Sequence, residues 1–387
     1  MQIKPFLRHH TFQMRVSRID LVAFSFFMII GAALAVNAQS RRVTPKPTPT
    51  PQDENLRIVT EEIKLNVLAF DEQGNFFRDV TDRDLVITEN NILHQPASVR
   101  RLPANVLIVM DTGGELRAVK NLDQTRKVAR AVVESLRPGD SLALMQYSDK
   151  PEIVSEWTND KTQLDKAINH TTFGRRSQFV DAIRMATEFL MRDPLENKHL
   201  VLITDGTDSQ GKSSEKFDAF QHLLATDISV HVISYTAMES ADIEPRTKTL
   251  SNATPKKALP DEVVNQLPND VKIANQRPKV GPTINMDRTM LKQLKARKLD
   301  LDISQEQLEK LSEGSNGEFI LPVTTDEMVE KAPLVAKMID ASYVVTYTPK
   351  ISVVETRGIA ERNIEVTSKR PGLIVVARRR LIIDHSR

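Results

Sequence analysis

Four apolar runs in the middle of the chain constrain its fold more than any other feature. They lie at residues 106–110, 141–147, 200–204 and 230–234, and their continuous apolar character is typical of strands buried on both faces of a parallel sheet. Patterns of helical period separate them, at residues 123–136, 162–169, 178–191 and 214–225. We therefore predict an α/β domain with a doubly wound, mostly parallel sheet, in which residues 152–157 form an antiparallel edge strand.

The segments on either side of this domain have the shorter, alternating pattern of antiparallel strands. Residues 57–70 alternate at period two, and short strands are predicted at 84–88, 92–102, 343–348, 363–367 and 373–377. Because a segment of about 45 residues cannot bury a stable core by itself, each flank needs another segment to complete it. We predict that residues 57–102 and 341–387 form one β-sandwich, with the central domain, residues 103–340, inserted between them.

The remaining segments have compositions that do not favour a packed core. Residues 1–38 have the pattern of a secretory signal peptide, with Met14 as an alternative start: an apolar run at 21–36 follows two arginines and precedes small residues that suit cleavage before Gln39. The run is short for a membrane span, and an uncleaved anchor is the alternative. Residues 39–56 predict a Pro/Thr-rich linker, and residues 239–282 a surface insertion. We expect most of the chain to lie outside the cytoplasm.

Composition excludes several classes of function. The chain has no cysteine, which excludes disulfides, thiolate metal sites and cysteine nucleophiles. Its net charge is +2 with mixed signs along the sequence, so no nucleic-acid partner is predicted. The basic run at residues 378–380 is the densest exception, for which we expect a solvated edge strand, with an anionic partner as the alternative. Motifs of zinc proteases and serine hydrolases are absent from the sequence, and we predict no enzyme activity.

Polar residues stand where the central strands are predicted to end. Asp111 ends the first apolar run, Asp205 ends the third, and Ser177 lies four residues before Asp181 at the start of a helical pattern. Open α/β sheets bind ligands at the carboxyl ends of their strands, so we expect these residues to lie close together at a binding site.

In this pattern the chain resembles the von Willebrand factor A family over residues 104–240. The adhesion site of that family has an Asp-x-Ser-x-Ser motif, a Thr before an Asp-Ala-hydrophobic helix, and an Asp-Gly pair. Asp111 matches the first part, Ser177 takes the Thr position ahead of Asp181, and Asp205 with Gly206 matches the third. The flanking β segments resemble those of exported acidobacterial von Willebrand-related proteins. The resemblance implies a protein partner that completes the shell of Mg²⁺ or a similar cation.

The motif also departs from the family. Gly113 and Glu115 replace two serines, which leaves Asp111, Glu115, Ser177 and Asp205 as the candidate metal ligands. Three carboxylates would neutralise the cation, and a guanidinium from Arg175 or Arg176 could pair with them in its place. We therefore expect a degenerate, metal-free site, with Mg²⁺ or another divalent cation as the alternative and no certain cofactor. The predicted partner-binding face consists of Asp111, Arg176, Ser177, Asp205 and Asp208.

The function predicted from these features is an exported, noncatalytic protein-interaction module. Its partner would be a protein of the cell envelope or exterior, and membrane contact is expected only if the N-terminal segment stays uncleaved. One alternative is a structural envelope protein without metal-dependent binding. Another is a nucleotide-binding enzyme, because residues 206–213 fit the P-loop pattern between a strand and a helix.

Overall fold

The computed structural model describes residues 61–114, 121–209, 211, 213–251, 283–284, 288–352 and 359–384. Strands are numbered along these residues. They are β1 (Ile63–Phe70), β2 (Leu85–Glu89), β3 (Ile92–His94), β4 (Ser98–Arg100), β5 (Asn105–Asp111), β6 (Ser141–Tyr147), β7 (Pro151–Thr158), β8 (Lys198–Thr204), β9 (Ser229–Ser234), β10 (Leu250–Ser251), β11 (Thr283–Ile284), β12 (Phe319–Ile320), β13 (Ser342–Tyr347), β14 (Ile359–Ser368), β15 (Ile374–Ala377) and β16 (Arg380–Asp384).

The helices of the described residues alternate with the central strands. They are α1 (Leu122–Ser135), α2 (Lys161–His170), α3 (Phe179–Arg192), α4 (Ser213–Leu224), α5 (Thr236–Ile243), α6 (Arg288–Gly314), α7 (Thr325–Lys331) and α8 (Pro333–Asp340), with short 3-10 helices at Asp82–Asp84 and Glu244–Thr247. The described helices include none that is long and apolar enough to cross a membrane.

A six-stranded sheet with the order β12-β9-β8-β5-β6-β7 forms the centre of the fold. Its pairs are parallel except for β6 with β7, which places β7 as an antiparallel strand at one edge. Successive residues of β5 point to opposite faces, so Val106 and Ile108 join one buried cluster and Leu107 and Val109 join another. Both faces are therefore covered by helices, and the predicted α/β class with a mostly parallel sheet is confirmed.

Two antiparallel sheets, each made from both ends of the chain, stand beside this domain. Their orders are β15-β1-β13-β4 and β16-β14-β2-β3. Leu65 and Val345 from the first sheet pack in one cluster with Leu85, Ile87 and Ile364 from the second. The flanks thus supply each other with the apolar partner surface that neither could provide alone, which accounts for the predicted sandwich.

A buried polar chain joins the central sheet to the sandwich. The Glu318 backbone N–H donates to Nδ1 of His231, so Nε2 of His231 carries the hydrogen that faces Nδ1 of His199, at 3.1 Å for each contact. Nε2 of His199 then donates to Oδ1 of Asn197 at 3.0 Å, and Nδ2 of Asn197 donates to the Ser342 hydroxyl of β13 at 3.3 Å. Every ring nitrogen is satisfied only when both imidazoles are neutral.

Arg378 makes a second contact between the sandwich and the central domain. The expectation that the whole basic run at residues 378–380 is solvated is therefore wrong for Arg378. Its side chain is 1% exposed. The guanidinium donates to the carbonyl oxygens of Thr226 at 2.6 Å and Ile228 at 3.2 Å, and lies 3.5 Å from that of Leu224. Arg378 therefore caps the end of α4 from the sandwich side, whereas Arg379 is exposed as expected.

Two sequence expectations need adjusting. The sequence also has a helical pattern at residues 325–339, and the structure divides this predicted helix at Pro333, which has no N–H to continue the helical hydrogen bonds. The insertion predicted from residue 239 begins later, because α5 runs through Ile243 and buries both Glu239 and Ile243. Residues 252–282, the signal peptide and the linker lie outside the described residues, so these domain bounds stay predictions.

Candidate functional site

Loops from several strands meet at the carboxyl end of the central sheet, which we call the loop end. It comprises residues 112–114, 148–150, 172–178 and 205–209. Backbone hydrogen bonds connect these loops: Gly174 N–H to the Thr112 carbonyl, Gln178 N–H to that of Ser148, and Ser209 N–H to that of Ser177. The predicted site residues thus lie on loops that hold one another in place.

Asp111 and Ser177 are brought together as the sequence predicted. The Ser177 hydroxyl donates to Oδ2 of Asp111 at 3.3 Å, and the Gly113 N–H donates to Oδ1 at 3.0 Å. Both side chains are buried. The Ser177 N–H also donates to the Ser209 hydroxyl at 2.9 Å, which ties this pair to the loop after β8.

Asp205 is held by its own loop and by a guanidinium from α6. Its Oδ1 accepts hydrogen bonds from the N–H and the hydroxyl of Thr207, both at 2.7 Å. Its Oδ2 accepts one from Arg297 at 3.1 Å. Asp205 is 1% exposed, so its charge is balanced inside the protein rather than by solvent.

Arg297 is the centre of this charge arrangement. The guanidinium also donates to Oε2 of Glu239 at 2.8 Å and to the Thr207 hydroxyl at 2.7 Å. Burial would lower the pKa of Arg297, but the charges of Asp205 and Glu239 outweigh burial and raise it. A cation of this protein's own chain thus neutralises acids at the loop end.

The arginine that pairs with Asp205 is not one of the two that the sequence analysis considered. The sequence suggested that a guanidinium from Arg175 or Arg176 could pair with the site carboxylates. Instead, the backbone N–H groups of both residues donate to the Asp149 carboxylate at 3.4 and 3.1 Å, and both side chains are exposed. Helix α6 lies beside the loop after β8, and this position brings Arg297 into direct contact with Asp205.

The described side chains do not fit a hard cation as they are arranged. Such an ion needs six or more oxygen ligands, yet Oδ2 of Asp205 is paired with Arg297. A Cβ atom on Gly113 would lie 1.8 Å from the Arg176 carbonyl oxygen, so the serine usual at this position has no room. Glu115, the remaining predicted ligand, lies outside the described residues, and no cluster of three or more acidic or histidine ligands occurs among those described.

Asp208 and Lys216 complete the loop end from the side of α4. Oδ2 of Asp208 accepts the Val180 N–H at 2.8 Å, so this acid caps the start of α3. Nζ of Lys216 donates to the Gly206 carbonyl at 2.8 Å and to the Ser304 hydroxyl at 3.0 Å. Burial lowers the pKa of Lys216 to about 8, although Asp205 and Asp208 counteract that shift.

The P-loop alternative can be tested on the same loop. A phosphate-binding loop presents free backbone N–H groups to the anion. Here the N–H groups of Gly206 and Thr207 donate to Thr204 and Asp205, that of Ser209 to a carbonyl, and that of Gly211 to Asp208. These donors already have partners inside the protein, which argues against a phosphate cradle. Lys212 lies outside the described residues.

Sequence reasoning missed Arg297, Glu239 and Lys216. Arg297 stands in a helix with many basic residues, where a solvated side chain is the ordinary expectation. Glu239 was placed in the insertion. No sequence pattern links Arg297 to Glu239, because they are 58 positions apart and become ion-pair partners only through the packing of α6 on α5.

Comparison with known proteins now identifies the domain. Residues 106–207 match the family model of the von Willebrand factor type A domain. No curated protein matches the chain. The match includes Asp111, Ser177 and Asp205, but not Arg297.

The solved structures that match this chain are distant in sequence. An aerotolerance-related membrane protein from Bacteroides fragilis is 15% identical, with 61% of this chain and 98% of that chain covered and a TM-score of 0.37. BatB from Bacteroides thetaiotaomicron is 13% identical over 61% and 98%, with a TM-score of 0.35. A von Willebrand factor type A protein from Catenulispora acidiphila is 9% identical over 80% and 76%, with a TM-score of 0.41.

At these identities and TM-scores the solved structures transfer no function to this chain. The family match agrees with a parallel sheet in which one strand ends at Asp111 and another is followed directly by Asp205, and with Ser177 ahead of α3. The central part of this chain, residues 106–207, is a von Willebrand factor type A domain.

Proposed function

We propose that this chain is an exported, noncatalytic module that binds another protein through the loop end of its A domain without a metal ion. Domains of this family generally mediate protein–protein interactions. The observation that carries the metal-free part is the contact of Arg297 with Asp205 and Glu239. A guanidinium already supplies the positive charge that a cation would bring, so recognition does not need the ion.

The loop end is suited to binding because it is both fixed and exposed. The Thr172 N–H donates to Oε1 of Gln146 at 2.8 Å, and the Gly174 N–H donates to the Thr112 carbonyl of a neighbouring loop. Phe173, at 39% exposed, therefore stands on a backbone that loses little conformational entropy when a partner binds. An aromatic side chain on a rigid loop is a typical centre of a protein interface.

Site-specific photo-crosslinking in the native envelope tests this proposal. A photoreactive phenylalanine at Phe173 samples the loop end, and the same group at Leu93, which is 62% exposed on the sandwich, is the matched control. We expect a partner protein to crosslink from position 173 and not from 93, with equal yield in the presence of a chelator. The export expectation is tested in the same cells by the mature N-terminus, which we expect at Gln39.

Each alternative predicts a different crosslinking result. Crosslinks from position 93 alone would favour a structural envelope protein that uses its sandwich as the contact surface. Loss of the crosslink on chelation would show that recognition depends on a metal ion after all. Binding of a fluorescent ATP analogue, abolished by Lys212→Ala, would support the nucleotide-binding alternative.

A further inference from the structure

Three cations and one aromatic ring stand together at the outer edge of the loop end. Lys150, Arg175 and Arg176 are all exposed, and we call these three residues the basic rim. Phe173 is two residues from Arg175 on the same loop. The Asp149 carboxylate accepts the N–H groups of both arginines, which places the turn of Lys150 against that loop.

The backbone under the basic rim is held from several directions. Arg126 of α1 donates to the Asn169 carbonyl at 3.0 Å and to the Thr171 carbonyl at 2.6 Å, which fixes the start of the loop. A Cβ on Gly174 would lie 2.4 Å from the Ser148 side chain, so this position admits only glycine at the present spacing. The rim is thus a preorganised surface and not a set of side chains on a loose turn.

The guanidinium groups of the basic rim differ from those on the following helix. On α3, Arg184 pairs with Asp181 and Arg192 pairs with Glu156. Within the part of the chain that the structure describes, neither Arg175 nor Arg176 takes part in an ion pair. The carboxylate of Asp149 is engaged by the backbone N–H groups of both residues. Two planar guanidinium forks are therefore presented to the outside.

We propose that the basic rim binds an acidic segment of a partner protein, with carboxylates paired to Arg175 and Arg176 and an apolar side chain against Phe173. This inference rests on the proposed function and names the partner's chemistry. Guanidinium groups pair with carboxylates through two parallel hydrogen bonds, which fixes orientation as well as charge. Arginine with an aromatic neighbour is also the composition typical of interface centres.

A protein partner fits this surface better than a membrane or a nucleic acid. Binding to anionic lipid commonly uses clusters of about four to eight basic residues, whereas the rim has three. Nucleic-acid binding needs a basic stripe, and the chain has a net charge of only +2. A short acidic peptide segment matches the small number of cations on the rim.

Peptide binding to the full chain tests the proposal. The probe is a fluorescent poly-glutamate peptide, with poly-glutamine of equal length for comparison, and fluorescence anisotropy is the readout. We expect Arg175→Ala with Arg176→Ala to weaken poly-glutamate binding by about tenfold or more, the size typical of interface arginines. Arg184→Ala with Arg192→Ala removes the same two charges from α3 and should change binding by less than about twofold.

Several outcomes would overturn the proposal. Equal weakening by the two double variants would show that only net charge matters. Tighter binding to phosphatidylserine vesicles or to single-stranded DNA than to poly-glutamate would assign the rim to a different partner class. If poly-glutamate fails to bind while the crosslink from position 173 persists in the envelope, the acidic partner is wrong and the proposed function stands.

Discussion

The two ends of the central sheet solve the problem of buried polar groups in opposite ways. At the loop end, Asp205 and Glu239 are paired with Arg297. At the other end, His199 and His231 are neutral and pass hydrogen bonds in one direction toward the sandwich. The difference teaches that one end depends on a balance of charges and the other on the absence of charge.

Two buried arginines make the same contrast. Arg297 has carboxylate partners, and its pKa is raised despite burial. Arg378 has only carbonyl partners at its guanidinium, and burial lowers its pKa to about 10. A cation surrounded by charges is stabilised as an ion, whereas one surrounded by carbonyls serves mainly to satisfy them.

Of the changes considered, acid should lower the free energy of unfolding most, through the buried pair His199 and His231. Burial lowers the pKa of His231 to about 3, and burial together with the neighbouring His231 and Arg137 holds the pKa of His199 well below its usual range. Since both folded-state pKa values lie below the unfolded value of about 6.5, stability is full above that pH and is lost as pH falls below it. We expect a loss of about 4 kcal/mol between pH 7 and 5, measured by urea unfolding.

A variant identifies the source of this pH dependence. His199→Gln with His231→Gln should flatten the loss of stability between pH 7 and 5, while His170→Gln, at an exposed position, should leave it unchanged. Equal stability of the parent protein at both pH values would contradict the neutral-imidazole chain.

Removing the guanidinium of Arg297 should lower the free energy of unfolding by a somewhat smaller amount. Arg297→Ala leaves Asp205 and Glu239 without their shared cation, and we expect a loss of about 3 kcal/mol in the free energy of unfolding at pH 7. Lys298→Ala, whose pair with Glu244 is exposed to solvent, should cost about 0.5 kcal/mol or less. Equal effects of the two variants would show that the Arg297 contacts do not stabilise the fold.

The carbonyl-bound arginine should matter less than the carboxylate-bound one. Arg378→Met keeps an apolar stem but leaves the carbonyls of Thr226 and Ile228 without their donor, so a loss of about 2 kcal/mol is expected in chemical unfolding. The exposed neighbour provides the matched control, Arg379→Met, with an expected change within about 0.5 kcal/mol. Equal stability of the two variants would show that the contacts of Arg378 with these carbonyls do not stabilise the fold.

The smallest expected effect is that of a divalent cation. Because Arg297 occupies one oxygen of Asp205, millimolar Mg²⁺ or Mn²⁺ should leave the Tm of the protein unchanged in a thermal scan. A rise in Tm that disappears in Asp111→Ala would contradict this and restore the metal site.

Much of the fold could be predicted because it follows from local pattern. Continuous apolar runs flanked by helical periods specify a buried parallel sheet, and alternating flanks too short for a core require a common sandwich. The close approach of Asp111 and Ser177 followed in the same way, since both stand at strand or helix ends on one edge of the sheet. The break at Pro333 was present in the sequence but outweighed by the apolar period around it.

The sequence by itself determined the architecture, the acids at the strand ends and the absence of a standard adhesion motif at Gly113. Only the tertiary structure decided which cation meets those acids, because Arg175, Arg176 and Arg297 are chemically alike and differ only in where the fold places them. It also decided that Arg378 is buried while Arg379 is not. Backbone pattern is local and can be deduced from neighbouring residues, whereas the pairing of buried charges depends on contacts between segments far apart in the chain.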